Sequence, residues 1–169
     1  MSTVFIGGSR HLGRLNDAVR SRLNNIVDRE HRVVIGDANG GDRAVQSHLA
    51  SKGYRNVTVY CMDGGCRNNV GQWPVRVIEA NGKRGFAYFS MKDAAMARDA
   101  DCGLMIWDGK SRGTFANMER LVDSGKPVVV YLSSDHDFKT LRTRADLQSL
   151  ATCIAAAPAR SPLFASKAS

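Results

Sequence analysis

Apolar residues in this chain fall into short continuous runs that alternate with stretches of helical spacing. Residues 3–6 form a β-rich run stopped by Gly7-Gly8, which predicts a buried strand. Leu15, Ala18, Val19, Leu23, Ile26 and Val27 then recur at helical intervals, predicting an amphipathic helix over 14–29. A second strand is expected at 32–35, a helix over about 42–52 closed by Gly53, and a third strand at 57–61. The glycines and proline of 62–74 exclude regular structure there. Residues 75–89 alternate around Asn81-Gly82, the pattern of a β-hairpin. Ser90 with Asp93 reads as a capping box, placing a helix at 91–99. A fourth strand at 102–107, a helix at 114–124 with Phe115, Met118, Leu121 and Val122 on one face, and a fifth strand at 127–132 follow. A last helix is expected within 137–150, and the Ala-, Ser- and Pro-rich 155–169 reads as a frayed tail.

The strands are unbroken apolar runs rather than alternating ones, as in a parallel sheet covered on both faces. Right-handed crossovers then give an α/β fold. The expectation is a doubly wound, Rossmann-like parallel sheet of about five strands, with helices on both faces and an inserted hairpin near 75–89. Residues 1–154 would form a single nucleotide-binding domain, with 155–169 as the tail. At 169 residues the chain is long enough to bury a core without staples.

The formal net charge of +8 suggests an anionic partner. The excess is spread along the chain, however, with no basic tail and no Lys/Arg run. A dedicated nucleic-acid arm is therefore not expected. The apolar runs are too short to span a membrane, and no signal peptide is expected at the N-terminus. Cys61, Cys66, Cys102 and Cys153 form no C-x-x-C pair and lie near no histidine that would complete a zinc site. They read as reduced thiols in a cytoplasmic protein, with no metal and no cofactor expected.

Chemistry is expected where ligands bind open α/β sheets, at the carboxyl ends of the strands. Three loops there are distinctive. After the first strand comes Gly7-Gly8-Ser9-Arg10, a close-approach backbone with a hydroxyl and a guanidinium. After the second comes 36–43, with Gly36, Gly40, Gly41, Asp42 and Arg43. Asp42 would cap the next helix or meet ribose hydroxyls, and Arg43 would pair with a phosphate. After the fourth comes Asp108-Gly109-Lys110-Ser111-Arg112-Gly113-Thr114, with two cations, two hydroxyls and a helix N-terminus. Its order is not that of a Walker A loop, which excludes a P-loop ATPase. Each loop alone has a plain reading as a solvated turn with an ordinary cap. Their coincidence on one sheet edge is what points to an anionic ligand.

These residues resemble those of the SLOG superfamily, a Rossmann-like group. It includes the LOG-type phosphoribohydrolases and the DNA-processing protein DprA. Gly36-x-x-x-Gly40-Gly41-Asp42-Arg43 is most similar to the YspA-like branch, and Ser111-x-Gly113-Thr114 to the helix start of LOG proteins and deoxyribosyltransferases. The resemblance covers roughly residues 3–132. It implies a nucleotide or nucleotide-sugar ligand with its phosphate on 109–114, and it suggests N-glycosidic chemistry. The carboxylate that those enzymes carry three residues after the Thr is Asn117 here. An amide cannot serve as nucleophile or stabilise an oxocarbenium ion by charge. Asp108 and Asp42 are left as the acids near the site.

Of the remaining residues, Arg67 and Asn68 could meet a phosphate or base edge, and Trp73 could stack on a base or plug an apolar gap. Lys92, Asp93 and Arg98 read as a solvated helix face, with Ser90 and Lys92 within reach of the ligand. No Ser-His-Asp or Cys-His constellation is present. The expected function is binding of a nucleotide-derived phosphate ligand, as a sensor module. The alternatives are an N-glycosidase acting on nucleoside 5′-phosphates, with Asp42 and Asp108 assisting, and DprA-like binding of single-stranded DNA. Proteins of this fold often pair through surface helices, and the apolar 145–157 stretch is the candidate for a homo-oligomer contact.

Overall fold

The computed structural model describes residues 1–157. Seven strands form one sheet: β1 (Thr3–Gly8), β2 (Arg32–Ile35), β3 (Val57–Met62), β4 (Val75–Ile78), β5 (Cys102–Trp107), β6 (Val128–Leu132) and β7 (Asp137–Leu141). Five helices connect or follow them: α1 (Asp17–Asp28), α2 (Gly41–Ser51), α3 (Gly85–Asp99), α4 (Arg112–Asp123) and α5 (Arg144–Ala156). The strand order is β4-β3-β2-β1-β5-β6-β7. β1 to β6 are parallel and β7 runs antiparallel to β6. The architecture is therefore α/β, mostly parallel and compatible with a Rossmann-like fold.

Order reverses between β1 and β5, which pair from Val4↔Cys102 to Gly8↔Ile106. A crevice opens at such a switch point because the chains leaving the two strands turn to opposite faces of the sheet. One core contains Val19, Leu23 and Ile26 of α1 and Val45 and Leu49 of α2. The other contains Met96 of α3, Met118 and Leu121 of α4, and Leu147 and Leu150 of α5. The apolar residues of the 145–157 stretch thus include two that pack inward. No helix among the described residues is long and apolar enough to cross a membrane.

The inner elements match the sequence pattern, and Gly53 and Gly125 end their helices with φ of +63° and +70°. The edges depart from it. The hairpin expected at 75–89 is absent. Asn81 and Gly82 do take the positive φ of a tight turn. The chain then enters α3 at Gly85, and β4 pairs parallel with β3 instead. Phe86 and Tyr88 therefore lie on a helix, whose buried positions Lys92, Ala95 and Met96 follow helical spacing. Ser90 and Asp93 sit inside this helix and cap nothing. The capping box belongs to Thr143 and Asp146 at the start of α5. The single helix expected over 137–150 is a strand followed by a helix. β7 is held by its pairing with β6, and Phe138 packs on Tyr131 with ring centroids 5.1 Å apart. α5 extends to Ala156, into the stretch expected as a tail, whose positions 158–169 lie outside the described residues.

Four free thiols were the expectation, but Cys61 and Cys66 are joined in a disulfide. The Gly64-Gly65 turn after β3 brings their Cα atoms to 5.1 Å, within bridging range. Cys102 and Cys153 are free.

Candidate functional site

A cavity of about 460 Å3 opens at the carboxyl end of β1, on the face covered by α3 and α4. Its glycine wall is a steric requirement. A Cβ on Gly41 would lie 2.6 Å from the Gly8 Cα, so the start of α2 can rest on the end of β1 only with glycine there. At Gly40 the constraint is doubled: φ is +83°, and a Cβ would meet the Arg10 carbonyl oxygen at 2.0 Å. These two glycines lock the first and second loops together rather than touch a ligand.

The floor is charged, and Asp37 holds two of its cations, Arg67 and Lys92, without lining the cavity itself. Asp37, 2% exposed, accepts from the Arg67 backbone N–H (2.9 Å), from the Arg67 guanidinium (2.9 and 3.3 Å) and from Lys92 Nζ (2.8 Å). Burial alone would raise its carboxyl, but Arg67 and Lys92 outweigh it and hold it well below the usual carboxylate range. Asp42, 7% exposed, is the second residue of α2 and not its cap. The N-cap is Gly40, and the Asp42 carboxylate folds back to accept from Ala38 N–H at 3.2 Å. A Cβ at Gly36 would stand 2.7 Å from the Asp42 carboxylate and 2.8 Å from Lys92 Nζ, so Gly36 leaves room for both. Burial, with the charge of Asp93 added, pushes the Asp42 carboxyl up to about 6 against the pull of Lys92. Asp93 is raised as well, chiefly by burial, while Lys92, Arg120, an Asn117 hydrogen bond and Arg10 oppose the shift.

Asn117 is buried on this floor and accepts from Arg120 Nη1 at 2.8 Å. The position lacks a carboxylate, and α3 brings one beside it in Asp93. The upper wall is cationic and aromatic. Arg67 and Arg10 lie over the Phe89 ring at 4.8 and 5.5 Å, and Arg112 over Phe86 at 5.2 Å. Ser111 caps α4 by accepting from Thr114 N–H at 3.4 Å, which leaves the Arg112 and Gly113 N–H groups of the first turn for an anion.

Of the residues expected to bind a ligand, Gly7, Gly8, Arg10, Asp42, Arg67, Ser111, Gly113, Thr114 and Asn117 line this cavity. The others do not. Ser9 is fully buried and donates to Asp108 Oδ1 at 3.0 Å. That same oxygen accepts from the Lys110 and Ser111 N–H groups at 2.9 and 2.8 Å. Burial pushes the Asp108 carboxyl up, but these N–H groups and the Ser9 hydroxyl prevail and hold it low. Asp108 is therefore a staple of its turn, its carboxylate favoured by the donors around it. With Gly109 and Lys110 it faces a separate depression beside α5, which removes it as a catalytic acid of this cavity. Asn68 donates to the Asp37 carbonyl and to Asn39 Oδ1, tying loop to loop. Trp73 is 5% exposed in the α1–α2 core and donates from Nε1 to the Tyr54 carbonyl at 2.7 Å, so it plugs the apolar gap. Arg43 points into another groove.

Ser90 and Lys92 line the cavity, as their expected reach toward the ligand requires, whereas Asp93, left on a solvated face, and Phe86 and Phe89 were missed. All five belong to α3, and recognising that helix from Gly85 onward would have placed them together. Gln46 supports the loops from below. Its amide donates to the carbonyls of Gly36 and Asn68, and its oxygen accepts from Val70 N–H. Among the described residues no cluster of three metal-ligating side chains occurs. Neither the known protein-family models nor the curated proteins yield a match to this chain.

Proposed function

We propose that this chain binds a nucleotide or nucleotide-derived phosphate ligand in the cavity between β1, α3 and α4, as a sensor of that ligand. The observation that carries this reading is the division of one cavity into three chemistries. The α4 N-terminus with Arg112 and Arg10 suits a phosphate. Buried carboxylates on the floor suit sugar hydroxyls, which donate to them. Phe86 and Phe89, now covered by arginines, offer faces to a base. The SLOG-like loops agree with such a ligand. A nucleotide ligand is the one remaining support for a cytoplasmic setting, since the Cys61–Cys66 disulfide removes the support from reduced thiols. Thermal-shift screening tests it with nucleoside mono- and diphosphates, ADP-ribose and NAD. Stabilisation by at least one, lost in Arg112→Gln, is expected; no shift with any of them overturns the reading.

The Asp42–Asp93 pair favours a second reading, N-glycosidic hydrolysis of the same ligand. A carboxyl raised by burial can donate its proton to a leaving base, and a second carboxyl beside it can steady the sugar cation or activate water once it has given up its own. Chromatography of a nucleotide panel would then reveal free base. Release that persists unchanged in Asp42→Asn and Asp93→Asn removes this reading and leaves binding intact.

A further inference from the structure

The segment after β2 serves two sides of the molecule. Asp42 turns into the main cavity, while its neighbour Arg43 lines a second groove of about 650 Å3. Arg14 from the loop before α1, Arg20 of α1, and Ser47 and His48 of α2 complete its walls, with Asn39 at the rim. Three guanidiniums line this groove and no carboxylate does. None of the three has an Asp or Glu at ion-pair distance among the described residues. Arg67, Arg76, Lys92, Arg98, Lys139 and Arg144 each have one. Cations gathered without counter-charge repel one another. The His48 imidazole is held below its ordinary value chiefly by partial burial, then by the charges of Lys52 and of Arg20 in the groove. A bound anion would relieve the repulsion.

The geometry points to this groove as a binding site for a short chain of phosphates, of the linear inorganic oligophosphate type. Each guanidinium can take one phosphate through two parallel N–H donors. Asn39, whose oxygen accepts from Asn68, adds a neutral N–H donor, while the Ser47 hydroxyl donates to the Arg43 carbonyl at 2.9 Å. Among the described residues no Phe, Tyr or Trp lines the groove, and the one ring there is the His48 imidazole, so it provides little stacking platform for the bases of a nucleic-acid strand. The site is distinct from the main cavity and does not depend on how that cavity is read. It also accounts for arginines of α1 and its leading loop, which the nucleotide cavity leaves unused.

Isothermal titration of the whole chain with inorganic tripolyphosphate tests the proposal. Three variants accompany the wild type: Arg14→Gln/Arg43→Gln in the groove, the exposed charge-matched pair Arg29→Gln/Arg55→Gln, and Arg112→Gln in the main cavity. All these arginines are on the surface, and far-UV circular dichroism verifies that each variant folds. The groove pair is expected to lose about a hundredfold in affinity, about tenfold for each of its two charge-assisted contacts. The other two should change by less than about twofold. Equal losses in both double variants would reduce the effect to overall charge. Loss in Arg112→Gln would move tripolyphosphate to the main cavity. Stronger displacement by a homopolymeric oligonucleotide than by longer polyphosphate would assign the groove to a nucleic-acid strand. Any of these results, or no binding by the wild type, overturns the proposal.

Discussion

Lys92 Nζ lies 2.8 Å from Asp37 Oδ1, with the two side chains only 4% and 3% exposed. The ammonium serves three carboxylates, Asp37 and the cavity-lining Asp42 and Asp93, since the latter two also feel its charge. Lys92→Met leaves this acidic cluster short of a cation. A loss of about 3–5 kcal/mol is expected, the usual penalty for removing one partner of a buried pair. Urea unfolding should show it as a lower midpoint with an unchanged slope. Adding Asp37→Asn to Lys92→Met should recover part of the loss, since one of the three carboxylates is then neutral, although Arg67 still faces it.

The Asp42 carboxyl gives stability a pH dependence of definite sign. Its folded pKa of about 6 lies above the ordinary 3.8, so the folded protein holds this proton more tightly than the unfolded chain does. The associated stability is fully present below about pH 4 and is lost as pH rises towards 6. Two units correspond to about 3 kcal/mol. Asp93 acts with the same sign, whereas Asp37, shifted downward, loses its contribution only in more acid solution. Unfolding midpoints between pH 4 and 7.5 should therefore show a smaller decline in Asp42→Asn than in the wild type.

Glycine substitutions should divide sharply by position. Gly13 has nothing within 4 Å of a new Cβ and no positive φ, so Gly13→Ala should be neutral within about 0.5 kcal/mol. Gly41→Ala drives a methyl into the Gly8 backbone and should cost about 1–3 kcal/mol. Gly40→Ala, strained in φ as well, should be the most damaging of the three. Thermal melts of the three variants order them.

Trp73 offers a control on the site. Trp73→Phe removes the indole bond to the Tyr54 carbonyl and should cost about 1 kcal/mol of stability. Ligand affinity, measured by titration in the cavity, should stay at the wild-type value because the ring lies in the opposite core.

The Cys61–Cys66 bridge predicts that, without reductant, only Cys102 and Cys153 alkylate in the denatured chain. The bridge closes a very short loop, so its reduction should lower stability by only about 2 kcal/mol. Mass spectrometry before and after a dithiol reductant reads the first, and urea unfolding the second.

The central strands and their helices were legible in the sequence because burial on both faces leaves continuous apolar runs, and glycine marks where those runs stop. The edges were not. β4 exposes Val75, Arg76 and Val77, so its alternation mimics a hairpin strand while its partner is β3. α3 begins with Gly85 and Phe86, both exposed, and carries a buried lysine. Its helical register shows only once the sheet beneath is known. The three loops stand at the expected sheet edge, and Gly7, Gly8, Arg10, Ser111, Gly113 and Thr114 line the cavity, but other loop residues turn elsewhere. Asp42 and Arg43, adjacent in sequence, turn to different cavities, and Asp108 spends its lone pairs on its own turn. Which neighbour of a pair faces the ligand depends on the helix start, and that moved from 42 to Gly41 with Gly40 as the cap.

The pairing of β1 with β5 has a consequence for how the molecule comes into being. Ser9 and Asp108, which bond across this seam, are 99 positions apart in the chain. During synthesis, the α1–α2 side can close on β1 to β3 early, from neighbouring segments. The second flank of β1 stays bare until β5 emerges, and until then neither the switch-point crevice nor the α4 turn exists. Contacts of such long sequence separation form slowly. Binding competence should therefore arrive in one late step, when β5 slots in beside a half-sheet that has been waiting for it.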